Sequence, residues 1–117
     1  MCIFCKIVNN EIASNKLLEN DDFIAFHDLH PKAPIHLLVI PKNHVECFQD
    51  VQPEMMAGMT SFIQEVTALM GIDKSGYRLI TNNGDDGGQE VHHLHFHVLG
   101  GAKLPFGHLT DETQKNL

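Results

Sequence analysis

The segment His93-Leu94-His95-Phe96-His97-Val98 alternates imidazoles with bulky apolar side chains. In an extended strand, successive side chains point to opposite faces. His93, His95 and His97 would therefore share one face, and Leu94, Phe96 and Val98 the other, with His92 on the apolar side. The apolar back must be covered by another element, and the polar front presents imidazoles ~6–7 Å apart, the two-residue repeat of a strand. A lone His-x-His pair is more often a solvated strand face. Three in register over an apolar reverse point to function, either metal binding or catalysis, and neutral imidazole, with an unperturbed pKa of about 6.5, serves both.

The covering element is legible in residues 53–70, where Met55, Met59, Phe62, Ile63, Val66, Leu69 and Met70 recur at helical spacing. Pro53 suits a first helical position, Glu54 the positive end of the helix dipole and Gly71 the C-terminal stop. The methionines read as core packing rather than a cofactor site. Lys16 to Glu19 and residues 23–28 form short β-like runs around the turn Asn20-Asp21-Asp22, a hairpin. After the proline-stiffened loop Pro31-Lys32-Ala33-Pro34, residues 36–40 give a third strand that Pro41 stops. Residues 77–82 give a fourth, and the Gly-rich loop 83–88 leads into the histidine strand. With a short helix at residues 4–8, the expectation is an α+β fold with a mostly antiparallel five-stranded sheet and one long helix.

The 117 residues form one domain, 1–117, with a C-terminal tail from about 104 to 117. A formal net charge of −7 and the lack of a Lys/Arg cluster argue against a nucleic-acid polymer as partner, though not against a small nucleotide. The absence of a long apolar run or a basic-then-apolar N-terminus argues against a membrane span or secretion signal, so the expected location is cytoplasmic. In that reducing setting, Cys2-x-x-Cys5 points to metal or redox chemistry, and Cys47 to a small buried residue.

Residues 93–99, His-Leu-His-Phe-His-Val-Leu, resemble the H-x-H-x-H-φ-φ signature of the histidine triad superfamily, φ being apolar. Gly87-Gly88-Gln89-Glu90-Val91, Gly100-Gly101, Phe26-His27-Asp28, Ala33-Pro34-Ile35-His36 and Val39-Ile40-Pro41-Lys42 resemble its nucleotide-binding Hint branch, in the family's order from about residue 2 to 103. The resemblance implies a two-fold homodimer acting at the α-phosphate of purine nucleoside 5′-phosphoramidate-type (AMP-linked) substrates through a covalent nucleotidyl-histidine.

Mapped by motif, His95 is the nucleophile, its other nitrogen held by a backbone carbonyl, and His97 and His36 lie against the phosphate oxygens. His93 supports the site. Asp28 matches the ribose-binding carboxylate, with Leu29 beside the sugar and Phe26 in the core or purine pocket. Asn82 and Gln89 match phosphate-side polar positions, and Val91 belongs to the same nucleotide-binding set. Gly87 and Gly88 allow close backbone approach, and Asp85 and Asp86 should point outward. Taken alone, His36 would be an ordinary strand-edge histidine, Asp28 a turn-former, and Asn82 and Gln89 loop hydrogen-bonders.

Glu90 stands where some relatives carry a serine that helps protonate the leaving group; a carboxyl does so only with a raised pKa. The tail lacks the aromatic tryptophan by which some relatives shape the site, for which Phe106 is a weak substitute. Cys2 and Cys5 resemble half of a structural zinc site completed in some relatives by residues matching His44 and His93; the other reading is a pair of free thiols. Two further functional readings are an AMP-binding regulatory protein with little turnover, and a zinc protein whose histidine row is itself the metal site.

Overall fold

The computed structural model describes residues 2–105. Phe106 and most of the tail lie outside them. Five strands, β1 (Lys16–Glu19), β2 (Phe23–His27), β3 (Ile35–Pro41), β4 (Tyr77–Ile80) and β5 (Phe96–Gly100), form one sheet in the order β1-β2-β3-β5-β4. All four pairings are antiparallel. Helix α1 (Ile3–Val8) lies at the N-terminus and α2 (Pro53–Leu69) connects β3 to β4, preceded by a single 3-10 turn, Phe48–Asp50. The α+β expectation holds.

Central strands β2 and β3 are apolar on both faces because both are covered. Ala25, Leu37, Val39, Phe96 and Val98 pack with Met59, Phe62, Ile63 and Val66 of α2. Ile24, Phe26, Leu38 and Ile40 pack with Phe4 and Ile7 of α1. The alternation that sends Leu37 and Val39 toward α2 puts His36 on the α1 side with Leu38 and Ile40, and β5 pairs Leu38 with His97.

Helix α2 ends as its sequence suggests. Gly71 adopts φ +73°, the Ile72 N–H donates to Thr67 O at 3.0 Å, and the Gly71 N–H to Ala68 O at 3.1 Å. That crossed pair satisfies carbonyls the last turn would otherwise leave open. Among the described residues, no helix is long and apolar enough to cross a membrane.

The histidine row departs from the expected strand. β5 starts at Phe96, and residues 91–93 bend instead of extending. On one side the ladder partners run out there, because β4 ends at Ile80, paired with His97, and on the other the pairing with β3 stops at Val39, opposite Phe96. Other bonds hold the approach: the Leu94 N–H donates to Val45 O, and the Thr81 hydroxyl to His95 O at 2.8 Å. Because the bend breaks the two-residue alternation, His92 is exposed rather than on the packing face. Cys47 is half-buried, its thiol donating to Asp50 Oδ2 at 3.4 Å, not a core residue.

Candidate active site and metal cluster

A cavity of about 620 Å³ opens on the α1 side of the sheet, and Asp28, His36, Asn82, Glu90, Val91, His95 and His97 line it together. Four other expected residues stand behind or beside it. Phe26 is buried, with its ring edge-on to Phe4 at 5.7 Å. Leu29 is 85% exposed. Gln89 is buried and spends its amide on the chain, accepting from the Gly84 N–H at 2.9 Å and donating to Glu46 O and Val91 O. It shapes the loop instead of facing the cavity. His93 is fully buried against the N-terminal cysteines.

Each imidazole's tautomer follows from its partners. His95 Nδ1 is 2.7 Å from His93 O; a carbonyl only accepts, so Nδ1 carries the proton and Nε2 keeps its lone pair. His36 Nδ1 accepts the Lys32 N–H at 3.0 Å, and His36 Nε2 lies 2.9 Å from His97 Nδ1. Burial holds His36 below the ordinary histidine range, more than the Asp28 carboxylate raises it. The 3.5 Å approach of His36 Nε2 to Asp28 Oδ2 is therefore a contact of a neutral ring, not an ion pair. His97 is pushed down to about 4 by burial first, then by His95 and His36.

The loop before the histidines is tight. A Cβ on Gly87 would sit 2.5 Å from Asn83 O, and Gly88 has φ +79°, so glycine is required at both for different reasons. Asp85 and Asp86 are exposed, as expected. Glu90 is exposed at the cavity rim.

Phe4 and Lys32 also line the cavity, and sequence reasoning missed both. The Phe4 ring meets His95 edge-on at 5.1 Å and His93 at 5.9 Å. Phe4 and Ile7, one turn apart on α1, were the available signal for a buried helix face. For Lys32 there was none, because its contact with His36 is made by the main-chain N–H.

Behind the cavity, Cys2, Cys5, His44 and His93 bring their ligand atoms within 4.8 Å of one another. Sγ–Sγ is 3.0 Å and the Sγ–Nδ1 distances are 3.3–3.6 Å, against edges of about 3.4–3.8 Å for a tetrahedron with Zn–S and Zn–N bonds of ordinary length. His93 Nε2–H donates to Pro41 O at 2.8 Å, leaving Nδ1 as the lone-pair nitrogen toward the thiols, the outer-shell arrangement of a ligating histidine. The donor types and the Sγ–Nδ1 edges fit a metal, and the Sγ–Sγ edge would have to open by several tenths of an ångström to hold one. Asp28, His36 and His97 also bring ligand atoms within 4.8 Å. They fit one poorly: His36 Nε2 could ligate only if Nδ1 took the proton, and that proton would face the Lys32 N–H.

The fold and this row of histidines define a histidine triad domain, and residues 9–104 match the HIT domain family model. The chain belongs to that family. It is 52% identical over 103 residues to an uncharacterized HIT-like protein of Helicobacter pylori, covering 88% of this chain and 99% of the relative. Among solved structures, it resembles a HIT family hydrolase from Legionella pneumophila (TM-score 0.87, 38% identity, 91% of this chain and 97% of that one). It also resembles a histidine triad protein from Clostridium difficile (TM-score 0.84, 48% identity, 89% and 93%). A hydrolase among such near neighbours supports hydrolase-type activity in general terms.

Proposed function

We propose that the chain is a purine nucleoside phosphoramidase or nucleotidyl hydrolase working through a nucleotidyl-histidine. The observation that carries this reading is the hydrogen bond from His95 Nδ1 to His93 O, which leaves Nε2 as a neutral nucleophile at the cavity. In the first step, the Nε2–P bond forms and the P–N bond to the leaving amine breaks. The amine departs with a proton taken from solvent, His97 Nε2–H hydrogen-bonding the phosphate without giving its proton up, and the His93 carbonyl, still accepting from Nδ1–H, stabilises the cation on the nucleotidylated ring. Water then opens the Nε2–P bond, its hydroxyl going to phosphorus and its proton to solvent, which releases the nucleoside monophosphate and restores neutral His95. His36 and His97 offset charge on the phosphate oxygens, and Asp28, Leu29 and Asn82 bind the nucleotide around them.

Cys2, Cys5, His44 and His93 would hold a structural zinc, which supplies cross-linking of α1 to the sheet and no reaction step. A two-fold dimer would form along the outer edge of β4, an edge strand exposing Tyr77 and Leu79. The proposed setting is cytoplasmic, where the cysteines stay reduced.

Incubation with adenosine 5′-phosphoramidate, quenched in base during turnover, tests the reading by intact mass and peptide mapping. An adenylyl adduct on His95, with AMP released by wild type and not by His95→Ala, is the expected result. Tight AMP binding without release would establish the regulatory binder instead.

A further inference from the structure

We infer that the main-chain N–H of Lys32 sets the tautomers of His36 and His97, and so decides which His97 nitrogen presents a proton to the cavity. The geometry stands without any substrate. Only its catalytic consequence rests on the function proposed above.

The loop that carries Lys32 is tied at its start to the strand that carries His36 and braced within itself. The Asp28 N–H donates to His36 O at 3.0 Å, and Asp28 Oδ1 takes the His30 N–H at 2.7 Å. Pro31 and Pro34 fix two φ angles on either side of Lys32. The Lys32 amide is thereby aimed at His36 Nδ1, 3.0 Å away. An amide can only donate, so Nδ1 must hold the lone pair and, in a neutral ring, Nε2 must hold the hydrogen.

That hydrogen points at His97 Nδ1, at 2.9 Å, which makes Nδ1 the acceptor and Nε2 the protonated nitrogen of neutral His97. His97 lines the cavity with its ring 5.2 Å from that of His95. The opposite arrangement would set two N–H groups against each other at Lys32 and turn a lone pair of His97 toward an anionic phosphate. Lys32 is thus a positioning residue that acts through two rings by its main-chain N–H, while its ammonium bears on His36 only through its charge, which disfavours protonation of that ring.

Nitrogen-15 correlation spectra of the histidine rings in the substrate-free protein read the tautomers directly. Wild type should show His36 and His97 both protonated on Nε2, and Lys32→Ala, which keeps the amide, should show the same. Lys32→Pro, which removes it, should mix the tautomers of both rings. Relative to Lys32→Ala, it should lower kcat by about 10–100-fold with KM changed less than about threefold, the loss of a donor used in the transition state. Nδ1 protonation of either ring in wild type overturns the inference, even if Lys32→Pro does not fold. So does an unchanged tautomer pattern in folded Lys32→Pro. If the tautomers are as stated but no phosphoramidate is cleaved, the proposed function fails and the role of Lys32 stands.

Discussion

The carbonyl oxygen of His93 accepts the Nδ1 proton of His95 at 2.7 Å, while the side chain of the same His93 faces the two N-terminal thiols. One residue therefore belongs to both the cavity and the metal cluster. Its carbonyl orients the nucleophile, its Nδ1 points to Cys2 and Cys5, and its Nε2–H is anchored on Pro41. Displacing any of the three would move the others.

The cluster should carry one zinc per chain. Cys2→Ser and Cys5→Ser should each lower the metal content by elemental analysis and the melting temperature by about 5–15 °C, the size expected for losing a few kcal/mol in a domain of this length. Chelation should lower the wild-type melting temperature in the same way. Unchanged melting in metal-free protein would leave free thiols as the better account.

Acid should weaken the fold through buried histidines. His97 is pushed down to about 4 when folded, against about 6.5 unfolded, so between those values the unfolded chain binds more protons. Stability then rises with pH from about 4 to 6.5, and is lost as pH falls through that window, with no further contribution from this group above or below it. The limiting slope is about 1.4 kcal/mol per pH unit for one such group, and the half-buried ring keeps the realised slope below it. His36, shifted the same way by burial, adds to it. Denaturant unfolding across this range should show a flatter profile for His97→Asn than for wild type.

Gly87→Ala should cost about 1–3 kcal/mol. The added methyl meets main-chain atoms of Asn83 at 2.5 and 2.9 Å, which cannot swing aside as a side chain could. Asn83 is also pinned, its Oδ1 taking the Gln49 N–H at 2.9 Å. The strain should spread to Asn82 and Gly88 on the cavity wall. Urea unfolding and AMP titration should both register it, the second as weaker binding.

Leu79→Arg tests the dimer. The side chain is 44% exposed on an edge strand, so the change should leave the monomer's stability nearly unaltered while sedimentation velocity shows a monomer in place of a dimer. A dimer that survives it would place the interface elsewhere.

How much of this is legible in the sequence depends on whether a feature leaves a periodic trace. Helix α2 does, through its repeating apolar residues and its Gly71 stop. Strands β2 and β3 do as well, as short apolar runs between turn residues. The beginning of β5 does not, since the alternation of residues 93–95 reads as strand even though β4 is too short to pair with them. His36 and Asp28 are recognisable only through the family motif; nothing in their own neighbourhood sets them apart. The Lys32 amide is invisible for a different reason, because any residue but proline supplies the same N–H.

The metal cluster has a topological side as well. Cys2 and His93 stand 91 positions apart, so an ion bound between them would close almost the whole described chain into a ring. Ring closure in an unfolded polymer becomes more costly, though only logarithmically, as the ring grows. A zinc that survived partial unfolding would therefore deprive the loose chain of much of its disorder. The six-residue α1, too short to persist as a free helix, would be prevented from fraying first by an attachment at the far end of the domain.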